Sequence, residues 1–236
     1  MKRSIPNILT LSNLLCGLLA INLIFDDEIN LALLFVVIGT VFDFFDGFAA
    51  RMLKVQGELG KQLDSLADMV TFGVVPGFLL LHTANYSWAN EHWLEGNPTT
   101  LLIGACCLLI PLFSALRLAK FNIDERQASG FIGLPTPANT LFIGSLVWLI
   151  YNNQAPSFLE NEWVLAGIGL LSSLLLVAPI PLFALKFKNF TFKDNWIRYV
   201  FIAICLILVI SFGVIAVPFI IIIYILMSVL DNKKQD

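Results

Sequence analysis

Eight apolar runs fill most of this chain and leave it few architectures. They cover residues 8–25, 30–53, 62–82, 99–120, 135–152, 162–186, 196–211 and 214–230. About 20 apolar residues in a helix cross the ~30 Å hydrocarbon core of a bilayer. Within that core a backbone must satisfy its own hydrogen bonds, so runs of this length span as helices. Composition agrees: of 236 residues, 58% are hydrophobic and 13% charged, and mean hydropathy is +0.85. The expected fold is all-α, a polytopic membrane helix bundle of about eight transmembrane helices (six to eight), forming one domain over 1–236. The last pair is the least regular. Trp196 to Leu230 would make about 52 Å of continuous helix at 1.5 Å per residue, too long for one span and short for two. Ser211-Phe212-Gly213 offers a turn between them.

Charge sets the count and the orientation. With eight spans, the N-terminus, 51–61, 117–134, 186–198 and the C-terminal tail share one side, and they hold all 14 lysines and arginines. The other side holds Asp26, Asp27, Glu28, Glu91, Glu95, Glu160 and Glu162, with no basic residue. The positive-inside rule puts both termini in the cytoplasm. Trp88, Trp93, Trp163 and Trp196 sit near span ends, as interfacial aromatics do. Met1-Lys2-Arg3 is basic, but no small-x-small cleavage site follows, so the first run reads as an uncleaved span. Cys16, Cys106, Cys107 and Cys205 lie in apolar runs without metal-ligand spacing and read as packing residues. His82 and His92 are read in a polar connection away from the acidic residues.

Those acidic residues stand out. Asp43 and Asp46 are three apart, and Asp64 and Asp68 are four apart, so each pair shares a helix face. The 18 positions from Asp46 to Asp64 allow a tight return that brings the faces together. Ionisable groups at membrane depth are costly and mark function by default. Four converging carboxylates suit Mg²⁺, Mn²⁺ or Ca²⁺ rather than zinc. Arg51 ends the second run, and Asp43 lies about 12 Å deeper along the helix, in the inner half of the bilayer. Arg51 alone cannot neutralise four acids.

Together these positions read Asp43-x2-Asp46-Gly47-x2-Ala50-Arg51-x8-Gly60-x3-Asp64-x3-Asp68. This resembles, at all eight positions, the signature of the CDP-alcohol phosphatidyltransferase family. The resemblance implies an enzyme that takes a CDP-linked lipid, attacks its β-phosphate with an alcohol and releases CMP. It implies that Asp43, Asp46, Asp64 and Asp68 hold one or two divalent cations, Mg²⁺ or Mn²⁺, with Asp68 also the candidate general base. Thr10, Asn13, Gly47, Ala50, Arg51 and Gly60 would bind the donor, CDP-diacylglycerol. For several of these a plainer role stays open. Gly47 and Ala50 could serve close helix packing, Gly60 a turn, Arg51 interfacial anchoring, and Thr10 and Asn13 helix–helix hydrogen bonds.

Two further segments narrow the acceptor. Arg117-Leu118-Ala119-Lys120-Phe121-Asn122 and Gly133-Leu134-Pro135-Thr136-Pro137-Ala138 are similar to segments of membrane-spanning phosphatidylserine synthases. So is the opening Pro6-Asn7-x2-Thr10-x2-Asn13-x3-Gly17. Lys120 stands where arginine is usual, keeping the charge without the bidentate fork. The implied acceptor is L-serine: Arg117 and Lys120 would take its carboxylate, and Asn122 with the motif carboxylates its ammonium. Cytoplasmic anchoring is the plainer role for the basic pair. The resemblance also implies a homodimer in the bacterial inner (cell) membrane, with a cytoplasmic active site. The lipid bilayer is the expected surround, and no nucleic-acid partner is expected. Other acceptors (glycerol 3-phosphate, inositol phosphate, choline) and a divalent-cation transporter are the rival readings. A transporter would leave Gly47, Ala50 and Arg51 unexplained.

Overall fold

A computed structural model of the chain describes residues 4–84, 98–124, 130–183 and 191–232. Eight main helices follow in order: α1 (Ser4–Phe25), α2 (Ile29–Met52), α3 (Glu58–Ala84), α4 (Pro98–Ile123), α5 (Thr136–Tyr151), α6 (Glu162–Val177), α7 (Phe192–Phe212) and α8 (Ala216–Asn232). The chain is a polytopic all-α membrane bundle. His92, Trp88, Trp93, Glu91, Glu95 and many basic residues of the orientation argument, Lys2, Arg3 and Arg126 among them, lie outside the described residues.

Three helices end alike. Asp27, Lys54 and Asn153 adopt φ of 61°, 53° and 54°. In each case the next amide reaches back five residues: Glu28 to the Leu23 carbonyl (2.9 Å), Val55 to Ala50 (3.1 Å) and Gln154 to Leu149 (2.8 Å). This left-handed cap satisfies the orphan carbonyls of a helix end within a few residues. It gives α1–α2 and α2–α3 tight reversals. Close contact then falls to small residues, as expected where lipid gives no hydrophobic drive between helices. A Cβ on Gly39 would stand 3.1 Å from Asn13 Oδ1, and one on Gly77 only 2.7 Å from Pro111 Cδ. A Cβ on Gly169 would meet the Cys106 carbonyl at 2.9 Å, which suits a packing role for Cys106 and Cys107; all four cysteines are free.

Four features depart from expectation. First, α6 ends at Val177, nine residues before 186. Pro179 disfavours helix at Ala178, and Pro181 removes another donor. The chain instead forms a short strand, β2 (Pro181–Phe183), antiparallel to β1 (Gly130–Ile132). Second, one turn of α3, Met69–Val74, is wound as π-helix directly after Asp68. Third, His82 lies in the last turn of α3, buried, 3.6 Å from Asp27; it is not in a polar connection. Fourth, α5 and α6 have 16 residues each, about 24 Å, shorter than a full span. The turn at Gly213 is present, with φ of 56°. Phe201 and Tyr224, nearly equidistant from it in sequence, bring their rings to 5.7 Å, so α7 and α8 form an antiparallel hairpin. Trp163 and Trp196 lie near the starts of α6 and α7 and are exposed.

The described residues form two cores. One joins α1–α6 around Ile24, Ala32, Leu80, Ile110, Ile143 and Leu165. The other joins β2 to the hairpin through Leu182, Phe183, Ile197, Phe201, Ile221 and Tyr224.

Candidate active site

The acidic residues meet where α2 and α3 reverse. Asp43 and Asp46 lie in the last turns of α2, and Asp64 and Asp68 on α3. Carboxylate oxygens of Asp43, Asp64 and Asp68 all lie within 4.8 Å of one another. Asp46 stands beside this group. It is 5% exposed and accepts a 2.6 Å hydrogen bond from the Thr10 hydroxyl. The Asn13 amide donates to Asp68 Oδ1 at 3.3 Å. The π turn locks against the same helix: Thr71, three residues after Asp68, donates to the Asn13 carbonyl at 3.0 Å. π turns recur at functional sites because the wider turn re-aims the residues around it. Thr10 and Asn13 thus make helix–helix hydrogen bonds, and their partners are motif carboxylates.

A cavity of about 490 Å³ opens beside Asp46 and Asp64, lined by Thr10, Gly47, Ala50, Arg51, Gly60 and Lys61 among others. It gathers five of the six residues expected on the donor side. Asn13 is not in its lining. A Cβ on Gly47 would meet only Arg51 atoms, the nearest at 3.5 Å, and one on Gly60 only Asn7 Oδ1 at 3.8 Å. Gly47 meets nothing outside its own helix and Gly60 only the tip of the Asn7 side chain of α1 at ordinary contact distance, so neither is a tight helix crossing and the missing side chains widen the cavity. Gly60 is not the turn between helices: it lies inside the first turn of α3, and the reversal runs through Leu53–Gly57.

A second cavity, about 520 Å³, is lined by Arg117, Lys120, Asp124, Ile132, Leu176 and Val177 among others. Arg117 is buried, donates to the Thr136 hydroxyl at 3.3 Å, and sits 5.1 Å and 5.9 Å from the ring centres of Phe121 and Phe131. Its Nε is buried without a partner among the described residues. It lies within electrostatic reach of Asp68. Lys120 is exposed. Asn122 departs from its companions. Its side-chain amide donates to Ser65 Oγ at 2.8 Å, and its main-chain carbonyl accepts from Lys61 Nζ at 2.6 Å. It clasps α4 to α3 between the two cavities and is not in the lining of either.

Sequence reasoning gave Lys61 no role beyond its charge and passed over Ser65. Lys61, Asp64 and Asp68 follow one helical stripe at i, i+3 and i+7, a spacing that marks Lys61 as facing the acids. Nothing local signals the partner of Ser65, which lies 57 residues away.

The donor set fits a hard divalent cation. Three carboxylates converge, and among the described residues no histidine or cysteine joins them. Among the described residues no lysine or arginine forms an ion pair with Asp43, Asp64 or Asp68. Close carboxylates without a counter-ion repel one another, and a bound cation is the simplest relief.

Comparisons with known proteins agree with this arrangement. The sequence pattern of the CDP-alcohol phosphatidyltransferase family matches residues 3–179. The chain is 42% identical to the CDP-diacylglycerol–serine O-phosphatidyltransferase of Bacillus subtilis over 134 residues, 56% of this chain and 69% of the relative. It is 34% identical to the Methanocaldococcus jannaschii protein of the same name over 168 residues, 71% of this chain and 70% of the relative. A Helicobacter pylori (strain J99) protein of that name matches at 29% over 212 residues, 88% of this chain and 81% of the relative. With the whole signature in one site and the family pattern over most of its length, the chain belongs to the CDP-alcohol phosphatidyltransferase family.

Proposed function

We propose that this protein transfers the phosphatidyl group from CDP-diacylglycerol to L-serine, forming phosphatidylserine and releasing CMP. The relatives bearing that activity in their names support the acceptor. The observation that carries the reading is the carboxylate cluster beside a cavity edged by the signature residues, with a second cavity edged by Arg117 and Lys120.

Asp43, Asp64 and Asp68, with Asp46 beside them, would hold one or two divalent cations, Mg²⁺ or Mn²⁺. Bound there, the cation supplies charge neutralisation to the pyrophosphate, the main need of phosphoryl transfer. The chain's own residues do the rest. Gly47, Ala50 and Gly60 leave room for the nucleotide, and Arg51 faces its phosphates. Thr10 and Asn13 hold Asp46 and Asp68 in place. Arg117 and Lys120 take the serine carboxylate, and the motif carboxylates attract its ammonium. Asp68 accepts the proton of the serine hydroxyl as that oxygen bonds to the β-phosphorus. The bond from the β-phosphorus to the bridging oxygen breaks, and CMP leaves with that oxygen. The reading is completed by one domain over 1–236, a homodimer, and both termini and the site on the cytoplasmic side of the bacterial inner membrane.

The test is CMP release by the purified protein. It should require a divalent cation and L-serine together. Equal turnover in EDTA would remove the metal role, and faster turnover with glycerol 3-phosphate would remove the acceptor assignment.

A further inference from the structure

The C-terminal hairpin lies beyond the family match, which ends at residue 179, and the signature gives it no task. Its packing does. The Tyr224 hydroxyl of α8 donates to the Phe183 carbonyl of β2 at 2.9 Å. Its ring meets Phe183 edge-on at 5.1 Å, and Phe201 of α7 closes the triangle at 5.6 Å and 5.7 Å. β2 pairs with β1, setting Leu182 opposite Phe131. Phe131 in turn covers the Arg117 guanidinium at 5.9 Å.

A two-stranded ribbon of three pairs has little stability of its own. Here the second core supplies it, with Leu182 and Phe183 clustered with residues of α7 and α8. Arg117 needs that support. Among the described residues its one hydrogen bond is to Thr136, and aromatic faces set the direction of this long side chain. Tyr224 also lies within electrostatic reach of it.

We propose that Tyr224 is a positioning residue for the acceptor: through β2 and β1 it fixes the Phe131 face that aims Arg117 into the second cavity. This rests on the assignment of that cavity to serine. The hairpin is then part of the acceptor site's frame as well as a membrane anchor.

The experiment measures CMP release by the full-length protein in detergent, varying L-serine at saturating donor and then the reverse. Tyr224→Ala removes ring and hydroxyl and should raise the KM for serine about tenfold. Tyr224→Phe removes one hydrogen bond and should raise it about threefold. The KM for CDP-diacylglycerol should change less than about twofold in both. Arg117→Lys, assayed alongside, should also raise the serine KM. If Arg117→Lys leaves it unchanged, the acceptor assignment fails and the proposal with it. If Arg117→Lys raises it while Tyr224→Phe leaves it unchanged, the proposal alone is overturned. Equal rises in both KM values, or a fall in kcat alone, overturn it too. Should Tyr224→Ala not accumulate folded, Tyr224→Phe decides.

Discussion

Replacing Thr10 by valine removes one hydroxyl and almost no volume, so it isolates a single contact. Thr10 Oγ1 lies 2.6 Å from Asp46 Oδ2 and 3.0 Å from the Pro6 carbonyl. A hydroxyl has one proton to give, and the short contact to a carboxylate takes it. Asp46 is only 5% exposed, so water replaces the lost donor poorly. Losing such a charge-assisted bond costs about 1.5–3 kcal/mol, or roughly 10- to 150-fold at ~1.4 kcal/mol per decade. Asp46 edges the cavity shared by Gly47 and Arg51, so the loss should fall on the donor. In a CMP-release assay at saturating serine and metal, kcat/KM for CDP-diacylglycerol should drop at least about tenfold. The serine KM should stay within about twofold. Thr10→Ser keeps the hydroxyl and should recover most of the activity. A Thr10→Val protein within twofold of wild type on the donor axis refutes the argument.

The four aspartates should separate by role. Asn at Asp43, Asp46 or Asp64 should raise the metal concentration needed, whereas Asp68→Asn at saturating metal should cost roughly 10²–10⁴ in kcat; recovery of Asp68→Asn by excess Mn²⁺ would make Asp68 a ligand and not the base. Gly47→Leu should raise the donor KM with the fold intact, since a Cβ there meets only Arg51. Gly17→Leu should instead lower thermal stability in detergent, because its Cβ would stand 3.0 Å from Thr71 Cα; equal melting temperatures for the two variants would contradict this. A cysteine placed at Lys54 should resist an impermeant label in intact cells while one at Glu160 reacts, and the reverse pattern would invert the proposed topology.

What the sequence discloses here is what helical periodicity encodes. Asp43 with Asp46, and Asp64 with Asp68, fall on common faces because three and four residues nearly complete a turn. The reversal between α7 and α8 is visible in Ser211-Phe212-Gly213. The ribbon is not: two three-residue strands some 50 positions apart, each flanked by prolines or glycine, carry no alternation to read. The π turn is equally silent, since Met69–Leu81 is apolar on nearly every face and a shift of helical phase there leaves no mark. The division of labour among the aspartates depends on α1. Thr10 takes Asp46 and Asn13 takes Asp68 across gaps of 36 and 55 residues, and only packing decides such pairs. Asn122 is the sharpest case. Its place in an Arg-x-x-Lys-x-Asn segment suggests one site for all three, yet the helix end turns it toward Ser65.

The Lys61–Asn122–Ser65 clasp stands between two separate openings. In the proposed reaction one opening admits a lipid-borne nucleotide and discharges CMP, and the other admits a small free amino acid. Incoming and outgoing soluble molecules therefore do not share a doorway. On that assignment serine can enter its own cavity while CMP is still departing from the other, and the heavier lipid traffic sideways through the bilayer does not have to clear a path for it.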